Sequence, residues 1–128
     1  MADFEGVDYY ALDGLLSDEQ KLVRDTVREF VNDKILPVID EHQREGTFPV
    51  EALPGMAAMG LLGANLEGYG LPGLDNISYG LILQELERGD SGLRSFVSVQ
   101  GALCMYPIWR YGSEAQKQQW LPAMGRGD

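Results

Sequence analysis

Apolar residues recur at the spacing of helix faces along most of this sequence, and no segment shows the sustained polar–apolar alternation of a strand. Two capping boxes, Ser17 with Gln20 and Ser113 with Gln116, each precede such a stretch. After the first box, one helix face carries Val23, Val27, Phe30, Val31 and Ile35. The sequence therefore predicts an all-α helical bundle of about five to six helices with no sheet.

Proline and glycine indicate where the first two helices begin and end. The first helix is predicted to start near Asp18, and Pro37 kinks or interrupts it because proline lacks the backbone donor. A shorter continuation ends at Gly46. A second helix is predicted over residues 51–59, with Gly60 as its C-terminal stop.

The remaining helices follow from similar signals. Asp75 can cap a third helix, which runs to about Arg88 and is apolar over more than half its circumference, so we expect it to be mostly buried. Asp90 or Ser91 can cap a fourth helix, which is bent or ended near Pro107. The second capping box, Ser113 with Gln116, marks the start of the last predicted helix.

Composition restricts the class of protein and its partners. The chain has 128 residues, enough for one domain, and its net charge of −10 opposes binding to nucleic acid or to an anionic membrane. No apolar run approaches the roughly 18 residues that a membrane-spanning helix needs. The N-terminal segment MADFEGVDYY is acidic where a secretory or transit peptide would be basic. We therefore expect a cytoplasmic, bacterial protein.

Three isolated signals favour structural roles. Gly68, Gly70 and Gly73 form a GxGxxG pattern, but no strand precedes it, so we predict a loop whose glycines supply positive φ angles. His42 is predicted to be a solvated helix-end residue and has no second histidine or nearby cysteine with which to bind a metal. Cys104 is predicted to be a small core side chain, because apolar residues surround it.

A charged side chain near the start of the apolar fourth helix indicates a possible binding site. Arg94 is followed by the hydroxyls of Ser95 and Ser98, and Glu87 lies on the preceding helix. A buried guanidinium costs several kcal/mol unless an anion meets it. Arg94 could therefore pair internally with Glu87 or Asp90, or it could hold a ligand carboxylate through two parallel hydrogen bonds.

Three separated motifs then point to a known family. They are GYGLPGLD at 68–75, QELERGDSGLRSFVSVQ at 84–100 and PIWRYGSEAQKQQWLP at 107–122. In this order they resemble the N-terminal helical domain of acyl-CoA dehydrogenases, and the second motif is most similar to that of glutaryl-CoA dehydrogenases. The resemblance implies an N-terminal arm at residues 1–15 and the helical domain at 16–128. The middle β-domain and the C-terminal helical domain of that family are absent from this sequence.

The resemblance also implies an activity. Acyl-CoA dehydrogenases are FAD-dependent oxidoreductases that remove an α-hydrogen of the acyl-CoA as a proton and a β-hydrogen as hydride, and with glutaryl-CoA a decarboxylation to crotonyl-CoA usually follows. In glutaryl-specific members an arginine at the position of Arg94 binds the distal carboxylate of the substrate. Glu87 and Ser95 match residues of the same pocket, and Ser98 lies one turn further along its wall. The sequence departs from the usual glutaryl pattern at Gly89, Leu93, Gly101 and Cys104.

The resemblance places the catalytic base and the flavin-binding residues in the absent domains. We therefore expect no catalytic, cofactor-binding or metal-binding residue in this chain, and neither bound FAD nor activity when it stands alone. The complete enzyme is implied to be a homotetramer that passes electrons to an electron-transfer flavoprotein. We also expect the pocket wall at Leu93, Phe96 and Val97 to be uncovered without the other domains. The alternatives are a stand-alone helical interaction module and a dehydrogenase for a different short acyl-CoA.

Overall fold

The computed structural model describes residues 7–128, so the first six residues of the predicted arm lie outside the described part. Its α-helices are α1 (Asp18–Phe30), α2 (Ile39–Glu45), α3 (Leu53–Ala58), α4 (Asn76–Gly89), α5 (Ser91–Ser98), α6 (Tyr106–Tyr111) and α7 (Glu114–Arg126). A π-helical turn at Val31–Ile35 continues α1, another at Val99–Met105 joins α5 to α6, and 3₁₀ turns cover Leu12–Leu15 and Val50–Ala52. Within residues 7–128 the chain thus forms six continuous helical rods, and the predicted all-α fold is confirmed.

A short hairpin departs from the prediction of no sheet. Strand β1 (Glu67–Gly68) pairs antiparallel with β2 (Leu71–Pro72). The connecting residues Tyr69 and Gly70 have φ angles of 55° and 78°, the positive values that a type I′ turn requires. Strands of two residues are too short to show an alternating pattern in the sequence. The predicted positive φ angles of Gly68, Gly70 and Gly73 are confirmed, but the segment is a hairpin with Gly68 in β1 rather than a plain loop.

The predicted caps are all formed. Both capping boxes bond in the two directions that the pattern requires, and Asp75 accepts hydrogen bonds from the backbone of Ile77 and Ser78. Asp90, rather than Ser91, caps α5 by accepting a hydrogen bond from the backbone of Leu93. These caps set the start of four helices, α1, α4, α5 and α7.

Each π-helical turn precedes a proline. Pro37 and Pro107 would clash, in a regular α-helix, with the carbonyls of the residues four positions earlier, Asp33 and Leu103. Both of these residues lie in the π-helical turns, whose wider spacing relieves such contacts. The first rod is interrupted before Pro37, which was one of the two predicted alternatives. The rod that begins with α5 does not end at Pro107 and runs as far as Tyr111.

The main core lies where the α1 rod packs on α4 and where α4 packs on α5. Its fully buried members come from the first rod, α3 and the segment after it, α4 and α5, and include Val31, Ile35, Met56, Leu62, Ile82, Leu86, Leu93 and Val97. A smaller cluster of Leu66, Met105 and Leu121 joins α7 to the hairpin side of the molecule. No helix in residues 7–128 is both long and apolar enough to cross a bilayer.

Four predictions about burial are wrong. Helix α4 is not mostly buried, since Ile77 on it is 55% exposed, and His42 is half-buried rather than solvated.

The predicted pocket wall and Cys104 are the other two. Leu93 and Val97 are 0% exposed and Phe96 is half-buried against the core, so these residues do not form an uncovered pocket wall. Cys104 is exposed. In a regular α-helix Cys104 would lie two turns after Val97 on the same face, but the π-helical turn lengthens the spacing and Met105, also 0% exposed, occupies the buried position instead.

The exposure of Cys104 predicts that its thiol is reactive in the folded chain. An aromatic disulfide reagent should modify Cys104 completely without denaturant. A buried thiol reacts slowly because the reagent cannot reach it, whereas the thiol of Cys104 is accessible in the folded chain. The rate of chromophore release, compared with that in guanidinium chloride, measures this. A thiol that reacts only after unfolding would contradict the exposed position.

The π-helical turn also presents apolar side chains to solvent. Val99 and Leu103 in this turn and Tyr106 directly after it are exposed, and Leu103 is 69% exposed. We expect the chain to self-associate or to bind an apolar dye through this surface, and Leu103→Gln to weaken both. Leu22→Gln is the matched control, since Leu22 is 67% exposed but its helical neighbours are polar. Equal effects of the two substitutions, or a wild-type chain that is monomeric and dye-silent, would contradict this prediction.

Candidate functional site

The predicted site residues meet at the corner between α4 and α5. Glu87 lies in the last turn of α4, and Arg94, Ser95 and Ser98 lie on α5. Asp90 alone joins the two helices, and its backbone N–H still donates to the carbonyl of Leu86. This short connection brings the end of α4 against the first turns of α5.

Arg94 and Glu87 form an ion pair at this corner. The Nε of Arg94 donates to Oε2 of Glu87 over 2.6 Å. The side chains are 36% and 49% exposed, so the pair is not a buried one and contributes at most about 1 kcal/mol to stability. Of the two internal partners considered for Arg94, Glu87 is the one observed, while Asp90 caps α5.

The pair leaves most of the guanidinium unused. Within residues 7–128, the Nε–H bond to Glu87 is the one hydrogen bond that Arg94 side-chain nitrogens make. The two terminal nitrogens make no hydrogen bond within the described residues, and two parallel N–H groups of an arginine can hold a carboxylate. Glu87 therefore engages Nε and no other nitrogen of Arg94.

The two serines differ in what their hydroxyls do. The Oγ of Ser98 donates to the carbonyl of Ser95 over 3.0 Å, so this hydroxyl is already engaged within α5. The hydroxyl of Ser95 makes no hydrogen bond to the described residues, and both side chains are half-buried. Ser98 lies four residues after Arg94 and so shares its helix face.

Glu85, which the sequence interpretation missed, is the buried charge of this region. It is 1% exposed and accepts hydrogen bonds from Arg28 over 2.7 Å and from Arg88 over 2.9 Å. Arg88 also donates to the side chain of Asn32. Burial would raise the pKa of Glu85, but the hydrogen bonds from the two arginines outweigh it and hold the pKa below its ordinary value. The Glu85–Arg88 spacing was visible in the sequence, but the contact with α1 was not.

A cavity of about 470 Å³ lies away from these residues. It opens between α3, the hairpin and α7, and Met59, Leu62, Leu71, Pro122 and Arg126 are among its lining residues. None of Glu87, Arg94, Ser95 and Ser98 lines it. Residues 7–128 contain no group of three His, Cys, Asp or Glu side chains placed to hold a metal ion.

Comparison with known proteins gives the family. The family description "Acyl-CoA dehydrogenase, N-terminal domain" matches residues 17–128. The structure is similar to that of a glutaryl-CoA dehydrogenase from Mycobacterium smegmatis in complex with FADH2, with a TM-score of 0.90 and 45% identity over 93% of this chain and 31% of that one. The chain belongs to the acyl-CoA dehydrogenase family, and the matched residues form its N-terminal domain.

Two curated relatives represent different substrate groups within the family. The glutaryl-CoA dehydrogenase of Desulfococcus multivorans is 35% identical over 91% of this chain and 31% of its own length. The short-chain specific acyl-CoA dehydrogenase of Rattus norvegicus mitochondria is 32% identical over 88% of this chain and 28% of its own length. The chain thus spans less than a third of the length of either relative.

Proposed function

We propose that this chain is the N-terminal domain of an FAD-dependent glutaryl-CoA dehydrogenase, in which Arg94 binds the distal carboxylate of the substrate. The observation that carries the proposal is the pairing of Arg94, whose Nε donates to Glu87 while its terminal nitrogens make no hydrogen bond within residues 7–128. The 45% identity to the Mycobacterium smegmatis glutaryl-CoA dehydrogenase supports the choice of substrate group.

The proposed role of this domain is substrate selection. A carboxylate that approaches the free edge of Arg94 gains two parallel charge-assisted hydrogen bonds, and the hydroxyl of Ser95 is available as a further donor. Glu87 limits the motion of the guanidinium before the substrate arrives. Ser98 forms the next turn of the proposed wall. An acyl chain without a distal carboxylate would desolvate the two terminal nitrogens of Arg94 and offer them no acceptor, and a site built to hydrogen-bond its substrate discriminates strongly in this way.

The remaining chemistry belongs to parts of the enzyme outside this chain. The glycine-rich hairpin is not followed by a βαβ unit within residues 7–128, so it is not the dinucleotide-binding turn that a GxGxxG pattern can mark. In the complete enzyme, FAD would accept the β-hydrogen as hydride while a base supplied elsewhere removes the α-proton. A homotetramer and an electron-transfer flavoprotein as electron acceptor complete the proposal by family analogy.

One alternative substrate group has its own support. The rat short-chain enzyme is 32% identical, and Arg94 is already neutralised by Glu87, so a pocket for a different short acyl-CoA would not contain an unpaired charge. A stand-alone helical interaction module is the alternative from another class. The reading frame that contains this chain decides whether flavin-binding segments accompany it.

Steady-state assays of the complete enzyme test the proposal. We expect bound FAD, a higher kcat/KM for glutaryl-CoA than for butyryl-CoA, and crotonyl-CoA with CO₂ as products by mass spectrometry. A preference for butyryl-CoA would favour the different short acyl-CoA. A protein with neither flavin nor activity would favour the interaction module.

A further inference from the structure

Gly89 ends α4 where that helix touches the first rod. A Cβ atom at this position would lie 2.8 Å from Cγ1 of Val31 and 3.2 Å from Cγ2 of Ile35. Both neighbours are fully buried in the π-helical turn that continues α1. A side chain at residue 89 therefore requires that Val31 and Ile35 change rotamer or that α4 and the π-helical turn move apart.

Asp90, which follows Gly89, is held by hydrogen bonds to α2 and to α5. The Oδ1 of Asp90 accepts a hydrogen bond from Gln43 of α2 over 3.0 Å, and its Oδ2 accepts one from the backbone of Leu93 over 2.9 Å. The α4–α5 corner is thus held against the α1 rod by Gly89 and against α2 by Asp90. Glu87 comes two residues before Gly89 and Arg94 five residues after it, so the path of the corner determines how their side chains meet.

We propose that Gly89 is a positioning residue, whose missing side chain sets the α4–α5 corner and thereby the Glu87–Arg94 pair. Val31 and Ile35 fill the space that a side chain at residue 89 would need. The consequence for substrate choice rests on the proposed function, whereas the consequence for the ion pair does not.

The chain itself offers a matched control and a rescue. Gly80 lies on the same helix, and a Cβ there would meet nothing within 4 Å, so Gly80→Ala makes the same chemical change without the contact. Val31→Ala removes the atom that lies nearest to the new Cβ. The variants compared are wild type, Gly80→Ala, Gly89→Ala, Val31→Ala and the double variant Val31→Ala/Gly89→Ala.

NMR of the 128-residue chain reports the ion pair directly. The Nε–Hε signal of Arg94, assigned by its loss in Arg94→Lys, should shift to a reference position in Glu87→Gln, where the ion pair is removed. We expect Gly80→Ala to keep the wild-type position and Gly89→Ala to move to the Glu87→Gln position. The double variant should return to the position of Val31→Ala. A folded Gly89→Ala chain with the wild-type signal would overturn the proposal.

The rescue keeps the test decisive if Gly89→Ala does not fold. In that case a folded double variant with the Val31→Ala signal supports the proposal, and one with the Glu87→Gln signal overturns it. A double variant that also fails to fold would overturn it too, because space beside Val31 would not be what residue 89 requires.

Kinetics of the complete enzyme separate this proposal from the proposed function. Gly89→Ala should lower the ratio of kcat/KM for glutaryl-CoA to that for butyryl-CoA by about tenfold relative to Gly80→Ala, mainly through KM. A lost ion-pair signal with an unchanged ratio would refute the substrate role of Arg94 and leave the positioning role standing. A retained signal would refute the positioning role whatever the ratio.

Discussion

Replacing Arg94 with leucine in the complete enzyme is expected to lower kcat/KM for glutaryl-CoA by about 2 to 5 kcal/mol, or roughly 30-fold to 5,000-fold. The substrate carboxylate would lose its two hydrogen bonds and would face Glu87, which Arg94 no longer neutralises. Butyryl-CoA carries no distal charge, so its kcat/KM should fall far less or rise. Steady-state kinetics with both substrates measure the difference.

A matched control comes from another exposed arginine. Arg110→Leu makes the same change on α6, where the guanidinium forms no ion pair within residues 7–128. It should leave the ratio between the two substrates unchanged. Arg94→Lys should give an intermediate loss, because lysine keeps the charge without the planar pair of donors. Equal losses on both substrates in Arg94→Leu would mean that Arg94 is structural.

Replacing Glu85 with glutamine is expected to reduce the free energy of unfolding by about 2 to 4 kcal/mol at pH 7. The loss is large because Arg28 and Arg88 both donate hydrogen bonds to this buried carboxylate. It is smaller than the loss expected for a fully buried ion pair, because both arginines are half-exposed and water can solvate them when the carboxylate is removed. Denaturant titration measures it. Glu29→Gln, on the exposed surface of α1, should change stability by less than about 0.5 kcal/mol. A Glu85→Gln chain as stable as the Glu29→Gln control would contradict the role of the carboxylate.

The stability difference between wild type and Glu85→Gln is also expected to depend on pH. The pKa of Glu85 is lowered from its ordinary value of 4.5 in the folded chain, so its ionised form stabilises the fold above that pH. This contribution is lost as the pH falls below 4.5 and through the lowered pKa of the folded state. The stability difference between wild type and Glu85→Gln should therefore be constant near pH 7 and shrink toward acid pH. A difference that grows as the pH falls would contradict the direction of the shift.

Local signals explain why so much of the fold was predictable. Caps such as Asp75 and the two serine capping boxes act on backbone groups two or three residues away, so their effect does not depend on the rest of the molecule. The break at Pro37 has the same character, since the missing donor and the ring clash are properties of a single residue. The helical spacing of apolar residues then indicated the all-α class.

The resemblance supplied the candidate site, while its geometry depended on packing. The sequence left Arg94 with two internal partners, and the short α4–α5 corner selected Glu87 because the same corner uses Asp90 as a helix cap. The place of Gly89 in that corner could not be inferred from the sequence, because Val31 lies 58 positions earlier in the chain.

The sequence by itself determined where most helices start and stop, because those boundaries come from contacts between near neighbours in the chain. The tertiary structure decided which side chains are buried. A π-helical turn before Pro107 places Met105 in the core and Cys104 in solvent, whereas the apolar residues around Cys104 in the sequence predicted that it is buried. The packing of α1 on α4 buries Glu85 between two arginines, one of them 57 residues away. Such pairings depend on how helices pack against one another, and no periodicity within one helix encodes them.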